Sequence, residues 1–257
     1  MTAVQQASAQ TVQQFLRRMG DNTLILGHRI SEWCGHSPVL EEDIAMANVA
    51  LDLIGQTQYW LGMAAERERS GRTADHLAYL RDAHEFRNVL LVEQPNRDYA
   101  CTLMRQFMFD VWHVLLLSQL QSSSDREAAE VASKAIKEVS YHAERSADLV
   151  IRLGDGSEES HRRVQNALDE LWSYSGEMFE DDAIDVELAE AGVAPLPSSL
   201  QATWQRQTAE VFEQATLSVP DSSFMHRGGR QGRHSEHLGY ILAEMQFLQR
   251  AYPGCNW

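Results

Sequence analysis

From Leu40 onward, positions recur in alternating steps of four and three: Leu40, Ile44, Ala47, Leu51, Ile54, Gln58, Leu61 and Ala65. That spacing keeps a mostly apolar stripe on one side of an α-helix and predicts a long helix packed in a bundle. Pro38 precedes it, and Glu41, Glu42 and Asp43 open it, where acidic side chains suit the positive end of the helix dipole. A second stripe is Ala128, Ala132, Ala135, Val139, His142, Ser146, Leu149 and Leu153. Ser124 and Glu127 have capping-box spacing at its start, and Gly154 and Gly156 mark its end. Tyr99–Gln121 forms a third helix, with Leu103, Phe107, Asp110, Val114 and Leu117 on one face. Val12–Trp33 fits a fourth, and Glu158–Phe179, Ser199–Leu217 and Ser235–Arg250 fit further helices. Pro195-Leu-Pro197 is a turn, and Val219–Arg233 is a polar, glycine-bearing loop.

No stretch alternates with period two, and no short repeat or low-complexity linker breaks the series. The pattern predicts an all-α bundle of four long helices with additional C-terminal helices. It is expected to form one domain over 1–257, with residues 1–10 as a disordered tail.

Composition narrows the function classes. Hydrophobic residues make up 44% of the 257, enough for a sizeable core. Lys and Arg number 22 against 37 Asp and Glu, a net charge of −15. An acidic surface argues against nucleic-acid binding and against adsorption to anionic membranes. No apolar run is long enough to span a bilayer. The opening MTAVQQASAQ has neither the basic head nor the apolar stretch of a secretory signal. The three cysteines, Cys34, Cys101 and Cys255, are far apart and form no C-x-x-C pair, which fits a reduced cytoplasm.

Helical bundles of this kind can house a dinuclear metal centre built from two lone carboxylates and two Glu-x-x-His pairs. Residues three apart share a helical face, so a carboxylate and an imidazole can reach the same metals. KEVSYHAER, residues 137–145, nearly matches this. Glu138 lies four before His142, but the residue three before it is Val139. Two other stretches have the acidic spacing: Glu158-x-x-His161 at a helix start and Asp110-x-x-His113 in a helix interior. The expected reading is a polar first turn for the former and a buried hydrogen-bonded carboxylate for the latter, with metal ligation the alternative at each. The spacing of Glu138 and His142 could chelate zinc, but there is no H-E-x-x-H and no third ligand of evident spacing. Asn48, Asp52 and Gln56 interrupt an apolar face and should bond to one another, to water or to neighbouring helices.

Outside the helices, HRGGRQGRH (226–234) places Arg227, Arg230 and Arg233 among glycines in an acidic chain. The loop could bind the phosphates of a coenzyme A thioester or acidic groups of a partner, or be a solvated basic loop. His234-Ser-Glu-His237 opens a helix whose face is Leu238, Ile241, Leu242, Met245 and Leu248, so capping and packing are its expected roles. Trp33, Trp60, Phe107, Trp112, Trp172 and Tyr174 fall where core or subunit interface is the default. Asp181-Asp182-Ala-Ile-Asp185 is expected to be a solvated turn.

The stretches LILGHRISEWCGHSPVLEEDIAMANVALDLIGQ, FRNVLLVEQPN, ASKAIKEVSYH and GRHSEHLGYILAEMQFLQR resemble the PaaC family over about Arg17 to Trp257. These are structural subunits of the bacterial ring-1,2-phenylacetyl-CoA epoxidase, a multicomponent monooxygenase of phenylacetate breakdown. The resemblance implies a ferritin-like fold and a non-catalytic chain without a cofactor of its own. It also implies packing against a di-iron catalytic A subunit, with a small B subunit and a reductase carrying flavin and iron–sulfur. A homodimer is possible when the chain is alone.

Laid on this sequence, the catalytic subunit's ligand positions fall on Glu32, on Leu53 and Gln56, on Asp110, and on Val139 and His142. Leu53, Gln56 and Val139 have lost the ligand, so the resemblance implies a degenerate site. Glu32, Asp110 and His142 could form a buried network where the metals once sat. The rival readings are a ferritin-like oxidase that is active alone and a helical acyl-CoA-binding module.

Overall fold

The computed structural model describes residues 7–255. In chain order its α-helices are α1 (Ala9–Ser31), α2 (Leu40–Glu68), α3 (Ala74–Tyr79), α4 (Tyr99–Leu120), α5 (Arg126–Gly154), α6 (Glu158–Leu171), α7 (Ala183–Glu190), α8 (Ser198–Gln214), α9 (Glu236–Met245) and α10 (Phe247–Ala251). No strand occurs among the described residues. The fold is all-α and ferritin-like, its four long helices being α1, α2, α4 and α5. Of the tail expected over 1–10, residues 1–6 lie outside the described residues. Ala9 and Gln10 already belong to α1, whose N-cap Ser8 accepts from Thr11 N at 3.1 Å.

Contacts divide the chain into two compact units. One is continuous, Asn96–Arg227. The other is split, Ser8–Pro95 joined by the segment from Gly228. Each is built on a helical hairpin. In the split unit, α1 packs along α2. Their connection, 32–39, can reach at most about 28 Å, whereas α1 is about 34 Å long, so the pair runs antiparallel. The same reasoning makes α4 and α5, joined by 121–125, antiparallel in the continuous unit. Gly20 lets the first pair close up: a Cβ there would lie 2.5 Å from Leu61 Cδ2.

The stripe that predicted α2 is buried only in part. Leu61 and Ala65 are buried, but Leu40, Ile44 and Leu51 are exposed. The buried face is Met46, Val49, Ala50, Leu53, Gln56, Thr57, Trp60, Leu61 and Ala64. The reason is geometric. A stripe of period 3.5 on a helix of period 3.6 drifts by about 20° every seven residues, so one stripe passes from solvent to core along the helix. The α5 stripe holds through Ala128, Ala132, Ala135, Val139, His142 and Ser146, then the buried line continues through Val150 and Gly154.

Other boundaries shift for local reasons. The N-cap of α5 is Asp125, accepting from Ala128 N at 3.2 Å, rather than Ser124. Ser124 instead donates to the Ala191 carbonyl at 2.9 Å. The turn expected at 181–185 is the start of α7. Asp182 caps it with Asp185 as the reciprocal partner, while Asp181 accepts from Ser198 N and Oγ. The helix expected over 158–179 ends at Leu171 and continues as two 3-10 turns. That expected over 235–250 breaks at Gln246, whose amide turns inward to donate to the Ala78 and Arg81 carbonyls, both at 3.0 Å.

Candidate functional site

α4 is apolar nearly all round and almost wholly buried, so its one acidic residue stands out. Asp110 is fully buried and reaches α5. Gln106 Nε2 donates to its Oδ1 at 2.6 Å, and Ser146 Oγ donates to its Oδ2 at 3.0 Å. Burial pushes the Asp110 carboxyl well above the usual range, and the bonds from Ser146 and Gln106 offset this only in part. The group is held toward the neutral acid, as a buried, hydrogen-bonded carboxyl.

His142 is buried on α5, its ring edge-on to Tyr141, and Val139 one turn before it is also buried. His113, on the Asp110-x-x-His113 spacing, is buried among Phe109 and Trp112, with ring centroids 5.2 and 6.2 Å away. Neither of its ring nitrogens has a protein hydrogen-bond partner. Burial, and then the charge of His142, lower its pKa to about 3, so the ring is neutral at physiological pH.

In the split unit, Leu53 and Gln56 are buried on the inner face of α2. Neither atom of the Gln56 side-chain amide has a hydrogen-bond partner among the described residues. Asn48 is exposed, and Asp52 is half-buried and partnered. Glu32 is the C-cap of α1 and pairs with Arg29 on its own helix at 3.0 Å. Its side chain is 40% exposed.

These positions do not fit a dinuclear metal centre. Leu53 and Val139 carry no donor, Gln56 is a weak neutral ligand, and Asp110 already holds two donors. Among the described residues no group of three or more His, Cys, Asp and Glu side chains could hold a metal ion. Glu158 sits in the first turn of α6, while His161 Nδ1 bonds to the Gly154 carbonyl at 2.7 Å, a helix-end role.

The arginine loop is unevenly placed. Arg227, in the continuous unit, is exposed and pairs with Glu180 at 2.8 Å. In the split unit Arg230 is buried and Arg233 exposed. Gly232 has φ +83°, and a side chain there would collide with the His84 carbonyl oxygen. Its glycine serves packing as well as turn geometry.

The most ordered polar site is one that spacing along the chain does not reveal. Glu93 ends a 3-10 turn, Leu90–Glu93, and is fully buried. Its carboxylate accepts from His234 Nδ1 at 2.8 Å, Ser235 N at 2.6 Å and Asn88 Nδ2 at 2.9 Å. Its backbone carbonyl accepts from Arg29 Nε and Nη2. The other His234 nitrogen, Nε2, faces the Phe86 carbonyl at 3.1 Å. Both nitrogens face acceptors, so the geometry suits an imidazolium. Burial lowers its pKa, but the bond and charge of Glu93 and the Phe86 carbonyl outweigh it and leave a net rise. The capping-and-packing role expected for His234 is thus a buried ion pair between sequence-distant segments. A second such pair joins Asp21 to Arg81, whose guanidinium lies 4.1 Å from the Phe86 ring centroid. The available signal was a glutamate inside the apolar run LLVE, which burial obliges to find a donor.

Antiparallel helical hairpins, with no strand among the described residues, define an all-α, ferritin-like protein. The family model described as phenylacetic acid catabolic protein matches residues 1–257, and the chain belongs to that family. It is 46% identical over 240 residues to the C subunit of 1,2-phenylacetyl-CoA epoxidase from Escherichia coli (strain K12). The match covers 93% of this chain and 96% of that relative. Among the described residues no helix is long and apolar enough to cross a membrane.

Proposed function

We propose that this chain is a structural subunit of a cytoplasmic 1,2-phenylacetyl-CoA epoxidase, serving phenylacetate degradation without a redox centre of its own. The observation that carries the reading is the pair Leu53 and Val139. Both are buried, and the resemblance aligns them with positions where a dinuclear centre requires bridging carboxylates. The extent of the match to a relative named as the C subunit of that enzyme supports the assignment.

Its proposed partners are a catalytic A subunit that holds di-iron and a small B subunit, with electrons supplied by a separate flavin and iron–sulfur reductase. This chain contributes surface and rigidity, and derives no step of the oxygen chemistry from its own side chains. Arg227 and Arg233, each reaching solvent in its own unit, are proposed contacts for acidic groups of a partner or for coenzyme A phosphates; buried Arg230 supports its loop.

The test is co-expression with the A subunit, followed by metal analysis and turnover. The chain purified alone should hold no near-stoichiometric iron, and the A subunit should assemble and turn over only with it. Near-stoichiometric iron in the isolated chain, lost on His142→Ala, would overturn the reading in favour of an oxidase active by itself.

A further inference from the structure

α2 carries two apolar faces, and the other described residues cover only one of them. Its inner face packs on α1. On the outer side Leu40, Ile44 and Leu51 are 70%, 55% and 65% exposed. At about 100° per residue, Leu40, Ile44, Ala47, Leu51, Gly55 and Gly62 lie within an arc of about 80°. Large apolar side chains fill the first half of this arc and glycines punctuate the second.

The glycines are informative because no contact with another described residue requires them. Gly20 and Gly27 on α1 are explained by close packing, since a Cβ on either would press against α2. A Cβ on Gly55 or Gly62 would meet nothing within 4 Å. Mid-helix glycine costs about 1 kcal/mol relative to alanine, and here no internal contact offsets that. A second helix backbone approaching from outside would.

Charge identifies the kind of occupant. Between Leu40 and Ala65 there is no Lys or Arg, while Glu41, Glu42, Asp43 and Asp52 are acidic. A second copy of this chain would set one acidic rim against another. We propose that the outer face of α2 docks a helix of a different polypeptide, one with an apolar stripe flanked by lysine or arginine. This rests on the reading of the chain as a subunit of an assembly. The strip is about 33 Å long and about 10 Å wide, less than the roughly 800 Å² a side of a stable interface, so it forms the centre of a larger contact.

The experiment uses the full-length chain and the proposed di-iron subunit. Ile44→Glu with Leu51→Glu should weaken their association at least about 30-fold, the effect of losing a hot spot of about 2 kcal/mol. Gly55→Leu should weaken it by about tenfold or more through overpacking. All these positions are exposed or open, so the isolated variants should keep the wild-type circular dichroism, with the Gly55→Leu melting midpoint unchanged or raised. Wild-type chain that binds while Gly55→Leu and the double variant bind equally well overturns the surface alone. Wild-type chain that binds no subunit overturns the assembly reading and the surface with it. A homodimer, seen by sedimentation, that Leu51→Glu dissociates while the mixed complex survives would make a second copy the occupant and overturn the proposal.

Discussion

Glu93→Gln offers the most direct test of how the split unit is held together. The side chain keeps its size, but one carboxylate oxygen becomes an NH₂ group. The wild-type carboxylate receives three donors, from His234, Ser235 and Asn88, in a site closed to solvent. The amide can accept at one oxygen only, so at least one donor faces another donor, and His234 loses its counter-charge. Removing one partner of a buried ion pair costs about 3–5 kcal/mol, a large part of the roughly 5–15 kcal/mol that holds a domain. The sign of the pH dependence follows from the raised pKa of His234. A histidine that protonates more readily folded than unfolded contributes its full stabilisation below about pH 6.5, and loses it as pH rises through the folded-state value. Urea titrations followed by circular dichroism at pH 6 and pH 8.5 measure both effects. The variant should be several kcal/mol weaker at pH 6 and should lack the wild-type decline toward pH 8.5. A loss below about 1 kcal/mol, or the same decline in both proteins, would refute an imidazolium–carboxylate clamp.

His113→Phe should stabilise the protein by about 1–3 kcal/mol at pH 7 in thermal melting, because it replaces a buried imidazole lacking hydrogen bonds with a ring of similar shape. The folded pKa of about 3 lies below the unfolded value, so wild-type stability present above about pH 6.5 falls as pH drops toward 3, and the variant should lose that slope. Asp125→Ala should cost about 1 kcal/mol through loss of the α5 cap, while Asp125→Asn should cost less; equal losses in urea unfolding would remove the capping role. Gly154→Ala should lower stability by about 1–3 kcal/mol, because its Cβ would collide with the Ala215 carbonyl oxygen; an unchanged melting midpoint would contradict the tight closure of α5 on the end of α8.

The long helices were legible because their burial is periodic, and the shorter elements were not because a cap or a single contact decides them. α7 has eight residues and is set by the reciprocal hydrogen bonds of Asp182 and Asp185. In sequence those acids look like a solvated turn. The break at Gln246 is likewise invisible, since it depends on carbonyls of Ala78 and Arg81 that only the fold brings near. Asp110 was readable as a satisfied carboxyl because an acid on an apolar helix face must find donors. Its donors, Gln106 and Ser146, include one from another helix, which spacing along α4 could not name. At Glu32, matching ligand positions assigns a place in the chain but not its local partners, and Arg29 one turn before it pairs with the carboxylate at the end of α1.

On the proposed reading, the positions that the resemblance assigns as degenerate form a consistent set once charge is considered. Buried carboxylates in a dinuclear site are tolerable because cations neutralise them, and without cations each one costs several kcal/mol or takes up a proton. Leu53 and Val139 adopt the first solution, replacing donors with apolar groups that pack. Asp110 adopts the second, its carboxyl held toward the neutral form while keeping two hydrogen bonds. His113 is neutral for the same reason. Charge is retained where it is paired and bridges sequence-distant segments, at Glu93 with His234 and at Asp21 with Arg81. On that reading the interior holds its helices in place without a metal, as suits the structural subunit proposed above.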